Sequence, residues 1–209
     1  MRRPPDAPLG LGVLASGRGS NLQAILDATV APGFPARVAV VVSDHEGAQA
    51  LGRARARGVP AVWLNPKDFG DRAAYDVALA GVLEAHGVGL VCLAGFMRIL
   101  GPAFVRAWAG RILNVHPALL PAFPGLHAQR QALEHGVKLS GATVHLVTED
   151  LDLGPIVAQE AVAVLEGDTE ETLAARILEA EHRIYPRAVR AMLEGRVSVS
   201  GWRVILEGA

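Results

Sequence analysis

Hydrophobic positions along this chain follow two regimes that change near residue 117. Before it, short unbroken apolar runs alternate with longer segments in which apolar residues recur at helical spacing. The runs at 9–15, 38–42, 61–64, 90–94 and 111–115 predict strands, and the periodic segments at 21–28, 48–57, 72–86 and 102–108 predict helices. These strands are apolar throughout rather than alternating, as strands buried on both faces are. Strand–helix alternation of this kind builds βαβ units on a parallel sheet. The expected fold class is therefore α/β, a mostly parallel twisted sheet flanked by helices on both faces.

Beyond Pro117 the rhythm breaks. Pro121, Pro124 and Gly125 interrupt regular structure, 128–135 reads as a short helix, and 142–147 and 156–164 read as strands joined by a loop at 149–155. Asp168 with Glu171 three residues on resembles a capping box. It opens a helix running towards Leu193, which Pro186 is expected to kink or split. A terminal hairpin is expected over 197–205. The length suits one domain over 1–209, with a tail at 1–8 and two halves meeting near residues 109–110.

Composition narrows the function classes. With 51% hydrophobic residues and a net charge of −1, the chain offers no bulk electrostatic case for nucleic acid or a membrane surface. No run reaches the roughly 18 apolar residues of a membrane span. The arginines near the start precede no secretory core. The one cysteine, Cys92, sits inside an apolar run and reads as a buried thiol, which fits a cytoplasmic protein.

Candidate chemistry lies at three places. Gly17-Arg18-Gly19-Ser20-Asn21 follows a strand and opens a helix, where backbone amides and the helix N-terminus favour an anion. Ser20 and Gln23 have capping-box spacing. A dinucleotide motif would need glycine where Leu22 stands, even though Asp44 could mimic its ribose-binding acid, and the Walker pattern is absent. A single phosphate monoester is the better ligand; a capped turn without a ligand is the plain alternative. Asn114 and His116, two residues apart at a strand end, share a side. A carboxamide can hold a developing oxyanion and an imidazole can move protons near neutral pH. Asp152, in a loop after another strand, could reach the same edge, where a carboxylate favours a charged imidazole; an Asx-turn is its plain role. No Gly-x-Ser-x-Gly or His-Glu-x-x-His is present, and His116, His127, His135 and His145 lack a recognised metal-ligand spacing, so no metal is expected.

Read together, these motifs resemble one family. Gly-x-Gly-Ser-Asn at 17–21, Leu-Ala-Gly-Phe-Met-Arg-Ile-Leu at 93–100, Asn-Val-His-Pro-Ala-Leu-Leu-Pro at 114–121 and Phe-Pro-Gly-Leu-His at 123–127 occur in order. Asp152, Gly154-Pro155 and Glu181-His182-x-x-Tyr185-Pro186 complete a series similar to the phosphoribosylglycinamide formyltransferases, folate-dependent enzymes of purine synthesis. The resemblance implies a Rossmann-type formyltransferase fold, with nucleotide phosphate bound in the half at about 9–109 and catalysis and folate in the half at about 110–209. It implies a catalytic trio of Asn114, His116 and Asp152, and a substrate phosphate held by Gly19, Ser20 and Asn21. Glu181 would contact the glycinamide end of the substrate. Arg72, Met97, Arg98, Ile99, Leu100 and Asn114 would bind the folate. The expected co-substrate is 10-formyltetrahydrofolate and the expected partners are glycinamide ribonucleotide and the folate, with a homodimer allowed and neither nucleic acid nor membrane.

Three positions depart from the family pattern: Arg18 where Asn is common, Gln129 where some relatives carry a second histidine, and Leu153 for a frequent glycine. Formyltetrahydrofolate hydrolases share the core but carry an added N-terminal domain, and methionyl-tRNA formyltransferases add a C-terminal RNA-binding domain. A non-catalytic phosphate-binding module, with Asn114 and His116 only packing a strand end, is the rival from another class.

Overall fold

The computed structural model describes residues 8–207, so the tail expected at 1–8 lies, apart from Pro8, outside the described residues. The chain forms two compact units, one ending at Phe104 and the other beginning at Val105. In the first, β1 (Leu9–Leu14), α1 (Ser20–Thr29), β2 (Ala36–Ser43), α2 (Gln49–Ala56), β3 (Ala61–Trp63), α3 (Arg72–Ala85) and β4 (Val88–Leu93) follow in order. A single 3₁₀ turn at Pro66–Asp68, not foreseen, is capped by the Asn65 side chain on the Lys67 amide. β1 pairs in parallel with β2 and β4, and β2 with β3. Leu11, Val13, Val40 and Val91 are fully buried, as are Leu22 and Ile25 of α1, Leu51 of α2 and Leu79 and Leu83 of α3. Strands apolar on both faces thus meet the apolar stripe of each helix.

The unit boundary falls within α4 (Pro102–Ala107). The second unit holds β5 (Ile112–His116), α5 (Ala128–Glu134), β6 (Leu139–Leu146), β7 (Ile156–Ala163), α6 (Glu170–Leu193) and a hairpin of β8 (Val197–Ser200) and β9 (Arg203–Leu206). Here pairing is antiparallel, β5 with β6 and β6 with β7. Leu173, Ile177, Ala180, Ile184, Tyr185, Ala188 and Val189 form the buried stripe of α6, and the Tyr185 hydroxyl donates to the Leu113 carbonyl at 3.1 Å.

Two expectations about α6 are corrected. Its capping box is Thr169 with Thr172 rather than Asp168 with Glu171, each threonine hydroxyl accepting the other residue's amide. Asp168 lies one position earlier, accepts the Leu165 amide and grips Arg176 with both oxygens. Nor does Pro186 split the helix, which runs unbroken from Glu170 to Leu193. Buried residues on both sides of the proline hold the two segments in place, and that packing outweighs the lost amide.

Candidate functional site

The glycine-rich loop between β1 and α1 is shaped by its neighbour α2. Gly19 is the N-cap of α1 in a left-handed conformation, φ 70°. A Cβ there would lie 2.8 Å from the Ala50 Cβ, so both conformation and space require glycine. The Gly17 carbonyl accepts the Ala50 amide at 3.1 Å, and the Arg18 carbonyl accepts Arg53 Nε at 2.8 Å. Two loop carbonyls are thereby turned onto α2. The Ser20–Gln23 capping box expected from spacing does not form, because Gly19 takes the N-cap and no side chain caps the helix. The Gln23 side chain instead donates to Asp27 and accepts from Arg53. A helix start without a side-chain cap, its dipole pointing outward, is an anion-binding arrangement. A cavity of about 400 Å³ opens beside it, lined by Ser16, Gly17, Arg18 and residues 45–49.

The segment after β4 carries Met97, Arg98, Ile99 and Leu100. Met97 and Ile99 are 66% and 64% exposed, whereas Leu100 is buried. The segment is tied down through its backbone: the Met97 amide donates to Ser16 Oγ at 2.9 Å and the Gly101 amide to Asp76 Oδ2 at 2.7 Å. Arg98 lies over the Tyr75 ring, 4.8 Å from its centroid. Burial, with the nearby Asp44 carboxylate, pushes the Tyr75 hydroxyl up to about 12 against the opposing pull of Arg98. Burial also raises Asp76, opposed by the Gly101 amide and by Arg72 and Arg98. Arg72 begins α3, behind an Asp71 side chain that caps the Ala74 amide.

In the second unit, β5 presents Asn114 and His116 on one face, opposite His145 and Thr143 of β6. His116 Nδ1 is 3.4 Å from Asp152 Oδ2, with both side chains largely buried, and its Nε2 lies 2.8 Å from the Phe123 carbonyl. The carbonyl requires a proton on Nε2, and the carboxylate favours one on Nδ1, so the imidazolium satisfies both contacts. The other Asp152 oxygen is 3.6 Å from His145 Nε2, which is 3.2 Å from Asn114 Nδ2. Burial raises the Asp152 pKa, but hydrogen bonding from His145, the Gly125 amide and the charges of His116 and His145 outweigh it and hold the carboxyl below its ordinary value. Asp152 therefore stays ionised at neutral pH.

Loop geometry places that carboxylate. Asp152 has φ 52°, a left-handed conformation that Asp and Asn tolerate better than most residues. At Gly154 a Cβ would sit 1.6 Å from the Leu146 carbonyl oxygen, so only glycine lets the loop close onto β6. Thr143 and Gln159 fix the segment after His116: Thr143 Oγ1 donates to the Ala118 carbonyl and accepts the Leu120 amide, while Gln159 Nε2 donates to the Leu120 carbonyl.

The structure thus brings Asn114, His116 and Asp152 together, with Asp152 3.4 Å from His116 and linked to Asn114 through His145, which sequence reading left among unassigned histidines. Its signal was weak: Thr143 and His145, polar and two apart, within the otherwise apolar run at 142–147. Glu181 is buried on α6 rather than exposed as an ordinary helix carboxylate would be. Gly19, Ser20, Asn21, Arg72 and Met97 to Leu100 lie in the first unit; the trio and Glu181 lie in the second. Among the described residues no group of three or more His, Cys, Asp or Glu is placed to hold a metal ion, and no helix is long and apolar enough to cross a membrane.

Comparison with known proteins meets this geometry. The profile of the formyl transferase family matches residues 11–189. The phosphoribosylglycinamide formyltransferase of Mycobacterium tuberculosis is 50% identical over 201 residues, covering 96% of this chain and 93% of that protein. The trifunctional purine biosynthetic protein adenosine-3 of Drosophila melanogaster is 49% identical over 192 residues, 91% of this chain, which spans only 14% of that longer protein. The crystal structure of glycinamide ribonucleotide transformylase 1 from Symbiobacterium toebii is 56% identical, with a TM-score of 0.94 over 95% of this chain and 94% of that one. That likeness bears out the α/β class, a mostly parallel sheet with helices around it. On motif, fold and likeness together, this chain belongs to the formyl transferase family, among the phosphoribosylglycinamide formyltransferases.

Proposed function

We propose that this chain transfers the formyl group of 10-formyltetrahydrofolate to the amine of glycinamide ribonucleotide, giving formylglycinamide ribonucleotide and tetrahydrofolate in purine biosynthesis. The observation that carries this reading is the buried group in which ionised Asp152 faces two imidazoles, one of them between the carboxylate and the Asn114 amide. Such a group holds positive charge and an amide donor beside a reacting carbonyl.

The neutral amine attacks the formyl carbon, forming a C–N bond and placing negative charge on the formyl oxygen. Asn114 Nδ2 donates to that oxygen, and His116 Nε2–H joins it on leaving the Phe123 carbonyl that it meets in the absence of substrate. As the tetrahedral centre collapses, the bond to the folate nitrogen breaks, the nitrogen takes a proton through His116, and the ammonium formed by attack loses one. Asp152 keeps His116 charged and oriented. The substrate phosphate is assigned to Gly19, Ser20 and Asn21, its glycinamide end to Glu181, and the folate to Arg72, Met97, Arg98, Ile99, Leu100 and Asn114. The proposed transfer uses neither a metal nor a covalent enzyme intermediate.

The test is a spectroscopic assay for folate product with and without glycinamide ribonucleotide. Product that depends on the nucleotide, and falls sharply in His116→Ala, supports the proposal. Equal product without the nucleotide would point instead to hydrolysis of the formyl donor.

A further inference from the structure

Ser16 adjoins the glycine-rich loop along the chain and is hydrogen-bonded to the loop that follows β4. It lies two residues past the end of β1, immediately before Gly17, whose carbonyl is held by α2. Its amide donates to the Gly95 carbonyl at 3.0 Å, and its hydroxyl accepts the Met97 amide at 2.9 Å, so one residue brackets Phe96 from both sides. Phe96 is buried beneath, while Met97 and Ile99 on the same segment are mostly exposed. The segment between β4 and α4 has no regular secondary structure, and its far end is held by the Asp76–Gly101 bond. Its shape therefore depends on a few pins to neighbouring chain, one of which belongs to the residue that opens the glycine-rich loop.

We infer that Ser16 is a positioning residue that couples the two loops, so that nucleotide phosphate on residues 17–21 and folate on residues 97–100 each tighten the other's binding. This rests on the ligand assignments of the proposed function. A ligand that restrains residues 17–21 also restrains Ser16, their covalent neighbour, whose two hydrogen bonds run to Gly95 and Met97, and so lowers the entropic cost of ordering that segment. The coupling is reciprocal by linkage. One backbone-to-hydroxyl hydrogen bond corresponds to about a three- to tenfold effect on affinity.

Isothermal titration closes the cycle: glycinamide ribonucleotide and an unreactive 10-formyl folate analogue, each alone and each in the presence of the other. In the wild-type chain each ligand is expected to tighten the other about three- to tenfold. In Ser16→Ala both ligands still bind singly, but the coupling falls to near one; Ser16→Thr, which keeps the hydroxyl, restores it. A merely structural serine would weaken both single affinities in Ser16→Ala and leave the coupling intact. Undiminished coupling in Ser16→Ala, or absent coupling in a wild type that binds both ligands, overturns the inference while leaving the functional reading standing. A wild type that binds neither ligand removes the functional reading and the inference with it.

Discussion

Replacing Asp152 with Asn probes the buried group with little change of shape. Asn accepts the left-handed backbone at this position, φ 52°, and its carbonyl can still accept the Gly125 amide that now lies 2.8 Å from Asp152 Oδ2. What disappears is the negative charge. At the 3.4 Å separation from His116, opposite unit charges attract by about 5 kcal/mol at an effective dielectric constant of about 20. The carboxylate shares its charge with His145, so that figure is a ceiling; a single charge-assisted hydrogen bond, about 1.5–3 kcal/mol, is the floor. At about 1.4 kcal/mol per tenfold, those bounds put the fall in kcat between about tenfold and a few thousand-fold. Affinity for glycinamide ribonucleotide should change little. Steady-state rates of folate product, paired with calorimetric binding of the nucleotide, give both numbers. A variant within about threefold of wild-type kcat would refute the role assigned to the carboxylate, as would a loss of nucleotide affinity matching the loss of rate.

Other predictions follow from the same structure. Ser20→Ala with Asn21→Ala should weaken nucleotide binding far more than folate binding in paired titrations; equal losses would contradict the phosphate assignment. Gly19→Ala places a Cβ 2.8 Å from Ala50 in a left-handed backbone, so thermal melting should show a destabilised fold and titration a weaker nucleotide site. His145→Gln should lower kcat with little change in KM, by leaving one Asp152 oxygen without its partner; unchanged kcat would show that His145 only packs. Arg176, foremost, with the Leu165 amide, holds Asp168 below its ordinary value. The Asp168–Arg176 clasp therefore adds stability above the unfolded-state pKa near 3.8, and loses it as pH falls towards the depressed folded value. Urea unfolding should accordingly find Asp168→Asn less stable than wild type at pH 7, with the gap narrowing in acid.

What could be read from the sequence was what local pattern encodes. Strand–helix alternation placed β1 to β5 because buried strands are apolar throughout, and a period of two put Asn114 and His116 on one face. Asp152 was found by its place after a strand, although its left-handed backbone, set by a loop that closes over Gly154, carries no mark in spacing. His145 was missed because its role comes from antiparallel register, which sets it across from Asn114, 31 residues away in the chain. Both capping boxes were misread for a local reason: spacing marks two residues, but the backbone at Gly19 and at Thr169 decides where each helix begins. Of the kink or split expected at Pro186, the split does not occur, because tertiary packing around α6 overrides an intrinsic preference.

The most direct measurement follows the formyl carbon itself. With the formyl group of 10-formyltetrahydrofolate isotopically labelled and glycinamide ribonucleotide present, mass spectrometry should find the label on the nucleotide amine, with none transferred by His116→Ala above background. Label recovered as free formate, at the same rate with or without the nucleotide, would contradict the account.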